Sequence, residues 1–149
     1  MAESDFGLDD LNKLSADLTQ VPNVLQPEVK LSLNQAAFHT RDEWRKDAAK
    51  GVLGSQYAAS IDVEEREFGA FGQGVLEVNV GPNLARYGGR TGRGGLVPSA
   101  GIFDDPESSG GIKGAKPSRA RRKAEKFAEK ELVERLEVAV DESLKKLGL

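Results

Sequence analysis

The chain has 149 residues, a net charge of −3, no cysteine and one histidine, His39. That length suits a single domain over residues 1–149 with a core of its own, while the missing cysteines exclude a disulfide framework, a thiolate nucleophile and a Cys-type zinc site. A lone imidazole excludes most metal centres and catalytic triads.

The first expected element is a short amphipathic helix, in which Leu8, Leu11, Leu14 and Leu18 recur at spacings of three and four and Asp9 and Asp10 favour the positive end of the helix dipole. It is expected to stop before Pro22. A second, long helix opens at Pro27 and Glu28, carries the stripe Val29, Leu33, Ala36, Ala37, Trp44 and Ala48, and ends near Gly51. The acidic start MAESDFGLDDL lacks a basic region followed by an apolar run, and no apolar run reaches the ~18 residues of a membrane span. A soluble cytoplasmic protein is therefore expected.

After Gly51 the period changes to two. Ile61 and Val63 alternate with Asp62 and Glu64, and Leu76, Val78 and Val80 alternate with Glu77 and Asn79. These are half-buried strands, joined as an antiparallel hairpin or small sheet through the glycine-rich FGAFGQG, and the second ends at Gly81-Pro82-Asn83. From Leu84 to Lys116 the chain is punctuated by glycine, proline and serine, with only Leu96, Val97, Ile102 and Phe103 fit to dock on a core. A stretch this long inside a compact domain is functional or disordered, so a flexible or partner-ordered loop is expected at about 84–116. Pro117 and Ser118 then launch a long amphipathic helix with Ala120, Ala124, Phe127, Ala128, Leu132, Leu136, Ala139, Val140, Leu144 and Leu147 on one side and Gly148 at its end. Glu131 to Arg135, Asp141 to Lys145 and Glu142 to Lys146 stand at i to i+4. The fold class is α+β.

Charge singles out one region. Between Gly81 and Lys126 ten cationic side chains face four carboxylates, a local net of +6 in an acidic chain. Such an inversion marks a surface for phosphates or for the acidic face of another protein. The candidate partner-binding residues are Arg86, Arg90, Arg93, Lys113, Lys116, Arg119, Arg121, Arg122 and Lys123. The last four crowd the first turn of the C-terminal helix against its dipole, at about 0.3–1 kcal/mol for each well-placed charge, so an external partner is expected to offset them.

Other constellations carry less. GGRTGRGG surrounds an anion with glycines and arginines, but no Gly-Lys-Ser/Thr follows it, and a basic loop is the simpler reading. As a single-strand binder it has only Tyr87 for stacking. Asp104, Asp105 and Glu107 lack the ligand spacing of a calcium loop, and Glu64, Glu65 and Glu67 are assigned to a wet sheet face rather than to acid–base work. His39 is read as exposed and structural, Trp44 as core. No catalytic residue, metal ligand or cofactor site is assigned, and a small hydrolase is disfavoured for want of a nucleophile–base pair.

The order of these elements resembles the tail-completion, or head-to-tail joining, family of long-tailed bacteriophages. The resemblance covers nearly the whole chain and rests on Tyr57-Ala58-Ala59-Ser60-Ile61 before the first strand, Gly81-Pro82-Asn83 after the second, and the basic turn around Arg41 and Arg45. It departs from the family where DDPESSGGIKGAK replaces a shorter, more apolar approach to the last helix. The resemblance implies a non-enzymatic virion protein of the tail or neck, assembled in the host cytoplasm. Its partners would be copies of itself in a ring, as a hexamer, and neighbouring neck and tail-tube proteins, with DNA threading the lumen and no membrane contact. A ring needs heterologous interfaces, which opposite charges on two faces would set in register. The alternative is a nucleic-acid-binding accessory protein using the basic Arg86 to Lys126 segment.

Overall fold

A computed structural model of the chain describes residues 8–51, 53–68, 75–83 and 118–149. The expected loop over 84–116, the FGAFGQG connection beyond Phe68 and the acidic triplet at Asp104, Asp105 and Glu107 lie outside them.

The largest departure from the sequence reading comes first. One helix, α1 (Leu8–Ala48), runs 41 residues through both Pro22 and Pro27, about 60 Å at 1.5 Å per residue, where two helices with a break before Pro22 were expected. Each proline removes a donor and crowds the carbonyl four residues back. Pro22, Pro27 and the positions of those carbonyls, Leu18 and Asn23, are all exposed, so water can take the freed acceptors. Pro22, Leu25, Val29 and Leu33 line one cavity with Leu76 of the sheet, so apolar side chains on both sides of Pro27 face the hairpin.

After a turn the chain enters α2 (Gly54–Ser60), opened by Gly54 at φ +65°, where a side chain would be strained. This helix was not anticipated, because seven residues of GSQYAAS hold no apolar period. Tyr57 and Ser60 are buried, and the Ser60 hydroxyl donates to the Tyr57 carbonyl at 2.7 Å. The chain then passes directly into β1 (Ile61–Phe68), which pairs antiparallel with β2 (Val75–Pro82) in the register Ile61 to Pro82 through Phe68 to Val75. Pro82 sits at the last strand position, where a missing donor costs least, and Asn83 N–H donates to Ser60 O at 2.7 Å to close the root of the hairpin.

Facing pairs share a face, so Val63, Glu65 and Glu67 lie on the same side as Val80, Val78 and Leu76. The three glutamates therefore do not share one wet face: Glu64 points outward, while Glu65 and Glu67 turn towards α1, ion-paired to Lys30 at 3.1 and 3.2 Å, with Asn34 donating to Glu65 at 2.9 Å.

The C-terminal helix α3 (Ala120–Leu147) packs antiparallel along α1: Lys123 meets Asp47 near one end, Arg135 meets Gln35 midway and Lys146 meets Glu28 near the other. Small buried residues make the seam, Ala36, Ala37, Thr40 and Ala48 on α1 against Ala120, Ala124, Ala139 and Ser143 on α3, and small side chains let helix backbones approach. Most of the expected stripe of α3 is buried or half-buried, but Val140 is exposed and Ser143, bonded to the Ala139 carbonyl at 2.6 Å, takes the buried position. Lys146 reaches across to Glu28 as well as lying near Glu142. Gly148 caps α3 at φ 74°. The core gathers where α1 ends, β1 begins and α3 begins, around Trp44, Ala48, Tyr57, Ala58, Ile61, Ala120 and Ala124.

Candidate assembly interface

Of the nine candidate partner-binding residues, Arg86, Arg90, Arg93, Lys113 and Lys116 lie outside the described residues. Arg119, Arg121, Arg122 and Lys123 are brought together at the start of α3. Arg119 is its cap residue, held left-handed at φ 54° and ψ 28° and the only non-glycine with positive φ among the described residues. Ser118 Oγ accepts the Ala120 N–H at 3.2 Å, so the cap bond comes from one residue earlier than the usual position.

The offset for this basic turn has sources inside the chain, contrary to the expectation of an external one alone. Arg121 Nε donates to Glu125 at 2.9 Å, and Lys123 lies 4.0 Å from Asp47. Because α3 runs antiparallel to α1, the turn also lies beside the carbonyl end of α1, whose dipole favours cations. The same end of α1 carries Arg41, Arg45, Lys46 and Lys50, of which Arg45 donates to the Ile61 carbonyl at 2.7 Å and ties the hairpin root to the helix.

Charge is unevenly spread among the described residues. Residues 37–50 and 118–130 hold ten lysines and arginines against five carboxylates, a net of +5. The two strands hold five carboxylates against Arg66, a net of −4, and the flanking helix halves, residues 28–36 and 131–147, add −2. Among the described residues the positive charge thus gathers where α1 ends and α3 begins and the negative charge on the hairpin and the flanking helix halves, a separation that orients encounters between molecules.

Midway between them lies a polar cluster that sequence reading missed. Glu131 Oε1 accepts from Arg135 Nε at 2.6 Å and from His39 Nδ1 at 2.7 Å, while Arg135 Nη1 donates to Gln35 at 2.5 Å. Arg135, with help from His39, holds the Glu131 carboxyl below its usual range. The available signal was two i to i+4 pairs, Gln35 with His39 and Glu131 with Arg135, on two amphipathic helices. Only the second was recognised.

Helix α3 and the hairpin both pack on α1 but not closely on one another. Between α3 and β2 a cleft of about 410 Å³ remains, floored by Leu33, Ala37 and Trp44, walled by Val78 and Val80 on one side and by Ala124, Ala128 and Leu132 on the other, with Arg121 and Glu125 at the rim. The Trp44 ring is core, as expected, yet its buried Nε1 has no hydrogen-bond partner among the described residues. Among the described residues no group of three or more His, Asp or Glu is placed to hold a metal ion, and no helix is long and apolar enough to cross a membrane.

No protein-family model, curated protein or solved structure matches the chain.

Proposed function

We propose that this chain is a structural, non-enzymatic subunit that assembles with copies of itself into a ring at the head-to-tail junction or tail end of a long-tailed bacteriophage, where it completes or joins the tail. The observation that carries the reading is the separation of charge, +5 where α1 ends and α3 begins against −4 on the hairpin. Two unlike faces of opposite sign suit a heterologous, head-to-tail contact, which closes into a ring when the rotation between subunits permits. The family resemblance supplies the setting: a virion protein of the neck or tail, built in the host cytoplasm, probing neighbouring neck and tail-tube proteins with the faces a ring leaves uncovered.

The test is one double substitution, Arg121→Glu with Arg122→Glu. It exchanges the Arg121–Glu125 pair for a repulsion of similar size while improving the dipole interaction, so thermal unfolding should shift by no more than about 1 kcal/mol. Native mass should fall from the oligomer to the monomer. An intact ring with normal head-to-tail joining would reject the reading. A nucleic-acid role for the same residues predicts a different pattern, loss of a salt-steep affinity in filter binding with assembly untouched.

A further inference from the structure

We infer that the cleft between α3 and β2 receives the distal end of the β-hairpin of a second copy of this chain. The inference rests on the self-assembly proposed above and names its contact. At that end Phe68 and Val75 face each other across the register and leave 51% and 66% of their surface exposed, the latter the most exposed large apolar residue among those described. Both lie on the outer side of the hairpin, away from α1, so nothing among the described residues of one subunit covers them. On the same outer face stand Glu64 and Glu77 with Arg66 between them, on a hairpin whose strands carry a net of −4.

The cleft has the opposite character. Its walls are apolar side chains of α1, β2 and α3, and its rim opens beside the basic first turn of α3, where Arg121 stands. An apolar knob on an acidic hairpin matches an apolar slot beside the basic start of a helix. Burying the knob satisfies the hydrophobic term, and the opposite signs of hairpin and helix start orient the encounter. The knob lies on the face of the hairpin turned away from α1, whereas the slot is floored by Leu33, Ala37 and Trp44 of α1 itself. One subunit's hairpin therefore cannot fill its own cleft, and the contact is between copies. It is heterologous, because knob and slot are different surfaces, and each subunit can give one and take one.

The chain has no cysteine, so an engineered disulfide reads the contact without background. Phe68→Cys in one copy and Ala128→Cys in another, mixed and mildly oxidised, should give a crosslinked pair far in excess of either variant alone and of Phe68→Cys mixed with Glu129→Cys on the exposed side of α3. Should Ala128→Cys fail to fold by thermal unfolding, Leu132→Cys on the same wall replaces it. As a second readout, Phe68→Asp should weaken self-association about tenfold or more, with thermal unfolding unchanged because the side chain is already exposed. Copies that associate by native mass without this crosslink would overturn the inference and leave the ring reading standing. A strictly monomeric protein, at high concentration and in the assembled particle, would overturn both. A disulfide from the cleft to Phe103→Cys within the same chain would show that residues 84–117 fill the slot, and would also overturn it.

Discussion

The hairpin is held to α1 by different physics at its two ends. At the root, Ile61 is fully buried against Trp44, Ala48 and Tyr57, Arg45 bonds its carbonyl, and Asn83 is tied to Ser60. At the far end the inward-facing residues of β1 are Glu65 and Glu67, which meet Lys30 and Asn34 in the open. A strand whose inner face changes from apolar to charged along its length is anchored at the root by full burial, while at the far end its exposed ion pairs add little to the half-buried contact that Leu76 of β2 offers to α1. The root should bear stability, leaving the far end free to carry residues chosen for something else.

Ile61→Ala is the hardest blow to that contrast. Loss of a fully buried side chain should cost about 2–5 kcal/mol and lower the midpoint of thermal unfolding by about 5–15 °C; Leu76→Ala, half-buried on the same face, should cost clearly less. Equal losses would erase the distinction.

A smaller change sharpens it. Glu131 keeps 16% of its side chain exposed, against 37% for Glu65 and 41% for Lys30, so its ion pairs are less screened. Its depressed pKa means that its contribution is fully present above the usual carboxylate range and is lost as the pH falls through the lower, folded-state value. Glu131→Gln should cost about 1 kcal/mol near neutral pH and flatten the acid limb of the stability curve, read by unfolding in denaturant at several pH values. An acid limb identical to that of the parent chain would rule the cluster out as a source of stability.

The least effect is expected at Lys30→Ala. The Glu65 carboxyl is lowered by Lys30 and Asn34, and Lys30 is raised by Glu65 and Glu67, but these are exposed pairs, and the change in stability should be smaller than that at Glu131. It should vanish in molar salt, where the Debye length is about 3 Å. A loss as large as that at Ile61 would mean the far end is anchored after all.

What was legible in the sequence follows the same line. The strands, their register ends and the stripe of α3 were readable because burial imposes a period, two for Ile61 and Val63, three and four for Ala120, Ala124 and Leu132. The break at Pro22 was misread because the local cost of proline is visible in a sequence, whereas the exposure of Leu18 and Asn23, where water can take the freed carbonyls, appears only in the folded helix. Helix α2 was missed because its reason is tertiary: Tyr57 and Ala58 belong to the core, not to a repeat. At the candidate interface Arg119, Arg121, Arg122 and Lys123 were found by charge alone. Their company on α1, and the cleft beside them, come from residues far apart in the chain.

Trp44 is the only tryptophan in the chain, and it forms part of the floor of that cleft with 8% of its surface exposed. The protein therefore carries its own optical gauge. Excited at the red edge of the aromatic band, it emits from one indole in one environment, an apolar wall with no acceptor for the N–H among the described residues, and a small neutral quencher diffusing in from solvent can approach the ring only through the open side. Whatever occupies the slot shields that light, so the fall in quenching as concentration rises is a binding curve that the unaltered molecule reports by itself.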